Sequence, residues 1–345
     1  MSDVRPNAND GDGAARLLAS AHARLSAAAA DLAIPEALRL GEWHRRTIAE
    51  LHRRLIRQIE NELRSDLSER LAGHDSLVAA LSSAHVEIAG AILTRKAAAI
   101  DGPLLAILLR RAEEHRLHRA AGMDNGLLID LAGSADAGIA AEAMSLLIAQ
   151  SSRLDGFQEP LIAHRELPAE IEHAIVWDVA AALRRYAIDQ HRLDPAEADR
   201  AIAAAATGVL ARHDEGAGFE ARALRLCRRL EEGGRLDDDL LARTLTEGSL
   251  PLFLAAAATR AGIDGGAAWE ILLDPQARGP VLLLRAAGTS RATAAALLLR
   301  LGAGEAALPG QLDLFDVTSE GEARCLLTLW QVDAGYRAAI ARLAA

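Results

Sequence analysis

The stretch DGPLLAILLRRAEEHRLHRAAGMDNGLLIDL (101–131) decides the fold class, because a related pattern returns as DDDLLARTLTEGSLPLFLAAAATRAGIDGGAAWEILL (237–273). Leu104-Leu105-Ala106 falls on Leu240-Leu241-Ala242, and Ala121-Gly122-Met123-Asp124 on Ala261-Gly262-Ile263-Asp264, with four extra residues between. In both copies apolar residues recur every three or four positions and a Gly closes the run. That is the pattern of an amphipathic helix, a turn and a second helix. Repetition of such a unit predicts an all-α chain of stacked helical hairpins, a solenoid or an irregular bundle with no sheet, each hairpin covering the apolar face of the next.

Composition agrees. More than one residue in five is Ala, while aromatic residues make up only 3%. Ala and Leu lose little rotamer freedom in a helix, and the β-branched and aromatic runs that strands favour are missing. A net charge of −10 argues against attraction of the whole molecule to phosphate backbones or anionic lipid. Lys96 is the sole lysine, so almost all positive charge is guanidinium. Cys227 and Cys325 lie far apart on predicted helices and read as small buried hydrophobes, with no metal pair or disulfide framework. The opening MSDVRPNANDGDGAA resembles no secretion signal, and no uncharged apolar run has the length of a membrane span. The expected location is the cytoplasm.

Boundaries follow from capping chemistry. Residues 1–12 are expected to be disordered, and LLASAHARLSAAAADLA is expected to form a helix ending before Pro35. A long helix is expected from Pro35 to Arg64, with Ile48, Leu51, Leu55, Ile59 and Leu63 on its apolar face. Arg45, Arg46, Arg53, Arg54 and Arg57 lie opposite, with Glu60 and Glu62 further along. Asp66 with Glu69, Asp101 before Pro103, Asp194 before Pro195, and Ser319 with Glu322 offer helix starts. Gly122, Gly133, Gly233, Gly262 and Gly288 offer stops. The helix from Pro168 to Tyr186 is expected to be central. The domain division implied is 13–187, a connecting helix over 188–216, and 217–345.

Four segments resemble a known family: LIRQIENELRSDLSERLA (55–72), VEIAGAILTRKAAAIDGPLLAILLRRAEEHRLHRAAG (86–122), ELPAEIEHAIVWDVAAALRRY (166–186) and LWQVDAGYRAAIARLA (329–344). They are similar to an uncharacterised alphaproteobacterial family, a domain of unknown function built of HEAT-like helical repeats. The shared residues are packing residues, so the resemblance implies a repeat scaffold and carries over no catalytic position.

Each candidate for chemistry has a plainer reading. His115 and His118, flanked by Glu113 and Glu114, have helical spacing for a metal pair but lack an evident third ligand, and read as a solvated, charged helix end with one His partly packed. Glu170-x-x-His173 occurs once, whereas a di-iron bundle needs two such motifs and two further Glu residues. Gly302-Ala-Gly304 follows a Leu-rich helix instead of a strand, so it reads as a helix terminus and not a dinucleotide loop. The Arg46, Arg53 and Arg57 face reads as solvated and paired with Glu, with an acidic partner or the phosphate of a nucleic acid as the alternative. Gln311-Leu312-Asp313-Leu314-Phe315 resembles the pentapeptide by which bacterial replication and repair proteins dock on the DNA sliding clamp. Its plainer reading is an inter-helix loop, after a stop at Pro309-Gly310, whose Leu312, Leu314 and Phe315 tuck inward. No catalytic residue, cofactor or metal is expected. The function expected is a non-enzymatic scaffold or adaptor in bacterial cytoplasmic regulation, with a protein as partner and a second copy of the chain compatible. Clamp docking through Gln311–Phe315, or an enzyme site assembled from distant residues, are the alternatives.

Overall fold

The computed structural model describes residues 39–84, 86–95, 100–122, 125–274, 278–302 and 304–344. The expected disordered residues 1–12 and the LLASAHARLSAAAADLA helix lie outside them. Of the described residues, 76% are helical, far above the third that is usual for globular domains. They form seventeen α-helices and no strand; Leu154 and Pro160 make only an isolated bridge.

The helices begin with α1 (Glu42–Arg70), α2 (Asp75–Ser82), α3 (Ala89–Arg95), α4 (Gly102–Ala120), α5 (Gly126–Ala132) and α6 (Ala137–Ser151). An irregular strap over 152–168, with one 3₁₀ turn at His164–Glu166, leads to α7 (Ala169–His191) and α8 (Pro195–Leu210). Then come α9 (Phe219–Glu232), α10 (Asp238–Thr246), α11 (Leu250–Ala261), α12 (Gly265–Leu272), α13 (Arg278–Ala286) and α14 (Arg291–Arg300). The last three are α15 (Leu308–Val317), α16 (Glu320–Leu326) and α17 (Ala334–Ala344).

Capping explains most starts. Asp101, Asp194 and Ser319 each accept a backbone N–H three residues on, and Glu322 completes the box with Ser319. The start expected at Asp66 does not occur. α1 runs on to Arg70, and Asp66 instead pairs with Arg70 one turn later. Glu60 also departs from the charged face expected of it: it is buried beside Arg64. There it accepts the backbone N–H groups of Ile88 and Ala89 at the start of α3. Arg64 donates to the carbonyls of Ala80, Leu81, Ser83 and Val86, which closes the end of α2.

The central helix is α11, not α7. Every residue from Leu250 to Ala258 is buried, so α11 is apolar on all sides and lies inside the core. It packs against α9, α10, α12 and α13. α7 instead buries one stripe that includes Ile175, Val179 and Leu183, against α8 and the short helices α2 and α3. Residues on both sides of 188–216 share one apolar cluster: Leu117, Leu127, Ile139 and Leu146 join Phe219, Leu226, Leu241 and Phe253. The core therefore passes straight through the expected domain division, and Arg46–Ala345 forms one compact unit.

The internal echo is not a repeat of equal elements. The first copy is one helix of 19 residues followed by α5, whereas the second is split into α10, α11 and α12. A break at Gly248-Ser249 takes up the four extra residues. Gly248 has φ +75°, and a Cβ there would lie 2.6 Å from the Cα of His118. The end of α4 thus rests directly on this break.

Cys227 is buried as expected, but Cys325 is exposed. Among the described residues, no helix is long and apolar enough to cross a membrane.

Candidate functional site

The residues of α4 that looked like a solvated helix end are inside. Glu114, His115 and His118 are buried, and so are Arg110 and Arg111 one turn earlier. The reason is phase. Leu104, Leu108, Arg111, His115 and His118 follow one another at four- and three-residue spacing, so the polar groups continue the core stripe that the leucines begin. Such groups need partners, because burial of an unpaired charge is costly.

Glu114 is the hub. Its carboxylate lies 3.4 Å from Arg110 Nε, 3.4 Å from Arg111 Nη1 and 3.1 Å from Arg153 Nη2. Arg110 reaches outward to Glu220 at 2.9 Å, and Arg153 to Glu166 at 3.2 Å. Arg111 donates to the carbonyls of Leu161 and Arg153, which ties the strap to α4. The Arg153 guanidinium stacks 4.3 Å from the centre of the Phe219 ring. Burial and the neighbouring Arg153 bring the Arg111 guanidinium down to about 10, with Glu114 and Glu166 opposing. Burial pushes His115 down to about 4, and Arg111, Arg119 and His118 add to the effect, so His115 is neutral at pH 7.

Outside this network opens a cleft of about 470 Å³ between α4, the strap, the start of α9 and α12. Its charged lining is Arg110, Arg111, Arg153 and Arg165 with Glu114, Glu166, Glu220 and Glu270; Ile107, Ile162, Phe219 and Trp269 provide the apolar walls. Trp269 is only 8% exposed, and its indole N–H has no acceptor. No described lining residue carries a hydroxyl, thiol, amine or imidazole.

A second knot lies on the other side of the strap. His164 is fully buried, with Nδ1 2.5 Å from Glu172 and Nε2 2.9 Å from Glu62. His213 Nδ1 lies 2.5 Å from the other oxygen of Glu172, and Arg165 and Arg212 both reach Glu62. Glu62 is held below the usual carboxylate range: burial opposes this, but His164 and Arg165 outweigh it. Imidazoles and carboxylates from α1, the strap, α7 and the residues after α8 thus alternate in one chain. Among the described residues no group of three or more His, Cys, Asp or Glu side chains is arranged to hold a metal ion.

The sites singled out in the sequence fall elsewhere. Glu170 and His173 are exposed on α7, where Trp177 Nε1 donates to His173 Nε2 at 3.0 Å. Arg53 pairs with Glu50 and Glu87, and Arg57 with Glu87, all on the surface; Arg46 is exposed. Gln311, Leu312, Asp313, Leu314 and Phe315 are helical, not a loop. Pro309 sits in the first turn of α15, where its missing N–H costs nothing, so it starts a helix instead of stopping one. Leu312 and Phe315 are buried, Leu314 is half-buried, Asp313 is exposed, and Arg285 stacks 4.9 Å from the Phe315 ring centre. Gln311 and Leu314 border a second, open depression of about 670 Å³ with Arg278, Leu282 and Leu326.

The cleft was not read from the sequence because its residues come from four separate stretches. One signal was present: charged residues in the phase of an apolar stripe, at Arg111 and His115. Comparison with curated proteins and with solved structures gives no match. A family model described as an uncharacterised protein conserved in bacteria matches residues 123–321, a span that includes Arg153, Glu166, Phe219, Glu220 and Trp269 but not α4. That span is more than half of the chain, and the chain therefore belongs to this uncharacterised bacterial family, DUF2336.

Proposed function

We propose that this chain is a non-enzymatic helical scaffold or adaptor of the bacterial cytoplasm, and that it holds a protein partner in the Arg110–Trp269 cleft. The observation that carries this reading is the make-up of the cleft. Buried guanidiniums and the buried carboxylate of Glu114 fix its floor, and isoleucine and aromatic side chains form its walls. Fixed charge beside an aromatic anchor is the composition of protein-binding hot spots. Among the described residues the lining supplies no hydroxyl, thiol or amine nucleophile and no imidazole base, the pairing on which acyl-transfer sites commonly rely. The cleft is of a size to take a few side chains of a partner and not a whole domain.

Ala106 is exposed at the mouth of the cleft, so Ala106→Trp fills it from the rim without disturbing the core. In quantitative pull-downs, the variant is expected to lose at least one partner that the parent protein captures, at an unchanged melting temperature. An identical set of partners for the two proteins would overturn the reading.

A further inference from the structure

We infer that the anchoring group received by this cleft is a carboxylate, an Asp or Glu side chain of the partner, which takes the place of Glu220 on Arg110. The source of that carboxylate rests on the adaptor reading above; the carboxylate site itself stands on the following geometry.

Immediately around Glu114, guanidinium donors outnumber carboxylate acceptors. Three guanidiniums surround the single carboxylate of Glu114 at 3.1–3.4 Å, longer than a good charge-assisted hydrogen bond. Arg110 Nε, 3.4 Å from Glu114, and Arg153 Nε, 3.2 Å from Glu166, are buried and poorly aligned for a hydrogen bond with these carboxylates, and the buried Trp269 indole N–H at the wall has no hydrogen bond at all. A ligand that brings acceptor oxygens satisfies groups that the protein alone leaves short.

The displaceable contact is identifiable. The Arg110 side chain is 9% exposed, but its outer partner Glu220 is 60% exposed, in the first turn of α9. Only the Glu220 end of the pair is open to solvent, where its carboxylate is hydrated as well outside the pair as in it and is free to swing away. Glu220 therefore marks where a carboxylate sits on Arg110 and yields readily to another.

Charge balance selects carboxylate over phosphate. Four Arg and four Glu residues line the cleft, so exchanging one carboxylate for another preserves neutrality. A dianionic phosphate would face Glu166 and Glu270 with surplus negative charge. The apolar walls call for a bulky neighbour beside the acid, as in an acidic residue next to an aromatic one.

The test uses the full chain and three probes: 3-phenylpropionate, its neutral amide, and inorganic phosphate. The indole N–H resonance of Trp269, assigned by its loss in Trp269→Phe, reports binding. The acid is expected to shift it saturably, the amide about tenfold more weakly or not at all, and phosphate without saturation. Glu220→Gln removes the competing carboxylate from an exposed position that folding tolerates, and is expected to tighten the acid by about fivefold. Arg110→Gln is expected to abolish binding. Equal binding of acid and amide, preference for phosphate, or no effect of Glu220→Gln would each overturn the inference. If the acid binds as described while Ala106→Trp loses no partner, the carboxylate site stands and the adaptor reading falls. Loss of a partner in Ala106→Trp without binding of the acid gives the reverse.

Discussion

Glu60 and Arg64 form a buried ion pair that also satisfies six backbone groups, and this changes what removal of either one costs. Arg64 is 6% exposed, and four carbonyls at the end of α2 and before α3 accept its N–H groups. Arg64→Ala would strand those carbonyls and leave the Glu60 carboxylate without its counter-charge. It is expected to destabilise the fold by about 3–5 kcal/mol, the usual cost of breaking a buried pair from one side. The surface arginines of the same helix set the contrast. Arg53 and Arg57 are each 45% exposed in their pairs with Glu50 and Glu87. Changing Arg46, Arg53 and Arg57 to Gln is expected to cost no more than about 0.5 kcal/mol at each site. Urea unfolding of the two variants checks both values. A mild Arg64→Ala would mean that α2 and α3 hold their places by apolar contact alone.

Two helices carry the element-scale predictions. Gly248 has a positive φ, and its missing side chain admits the end of α4, with the Leu117 carbonyl oxygen 2.8 Å from where a Cβ would be. Gly248→Ala is therefore expected to destabilise the fold by more than the roughly 1 kcal/mol of backbone strain alone, read as a lower melting temperature. In α15, Phe315 is 2% exposed and Leu312 8%, so clamp docking through this peptide would require the helix to leave the core. Phe315→Ala is expected to destabilise by about 3 kcal/mol or more. A thermal melt that hardly moves, together with loss of sliding-clamp binding, would revive the docking alternative. The same elements show what the sequence made legible. Helix type and many termini were readable because periodicity and caps are local: Asp101, Asp194 and Ser319 declare their helices within four residues. The α15 helix was missed because Pro309 serves equally as a stop before a turn and as a first-turn residue, and only the packing of Phe315 against Arg285 distinguishes them. The cleft was out of reach because Glu114, Arg153, Glu220 and Trp269 meet only after the strap and α9 fold against α4.

At the scale of the whole molecule, buried titratable groups couple stability to pH in two windows. Burial holds His115 at about 4 in the folded state, against an ordinary value near 6.5. The unfolded chain therefore takes up a proton that the folded chain refuses. Stability from this source is complete above about pH 6.5 and is lost as the pH falls toward 4, at most roughly 3 kcal/mol in all. Burial lowers His52 as well, which adds to the same window. The carboxylates act later. Burial raises Glu50, Glu62 and Asp238, but Arg54 and Arg53, His164 and Arg165, and the Ser290 backbone N–H with Arg260 outweigh it, so all three stay below the ordinary range. Their contribution is complete above about pH 4.5 and disappears as the pH falls through their lower folded values. Because Glu62 joins α1 to the strap and to the residues after α8, and Asp238 joins α10 to Arg260 and Ser290, the second loss acts on contacts between several elements at once. The urea midpoint is expected to be level between pH 8 and 7, to decline below about 6.5, and to fall more steeply below about 4.5. His115→Gln is expected to flatten the first decline to the residue that His52 contributes, and to leave the second unchanged. If the variant keeps the full slope between pH 6.5 and 4.5, His115 is not the group that the folded core holds neutral.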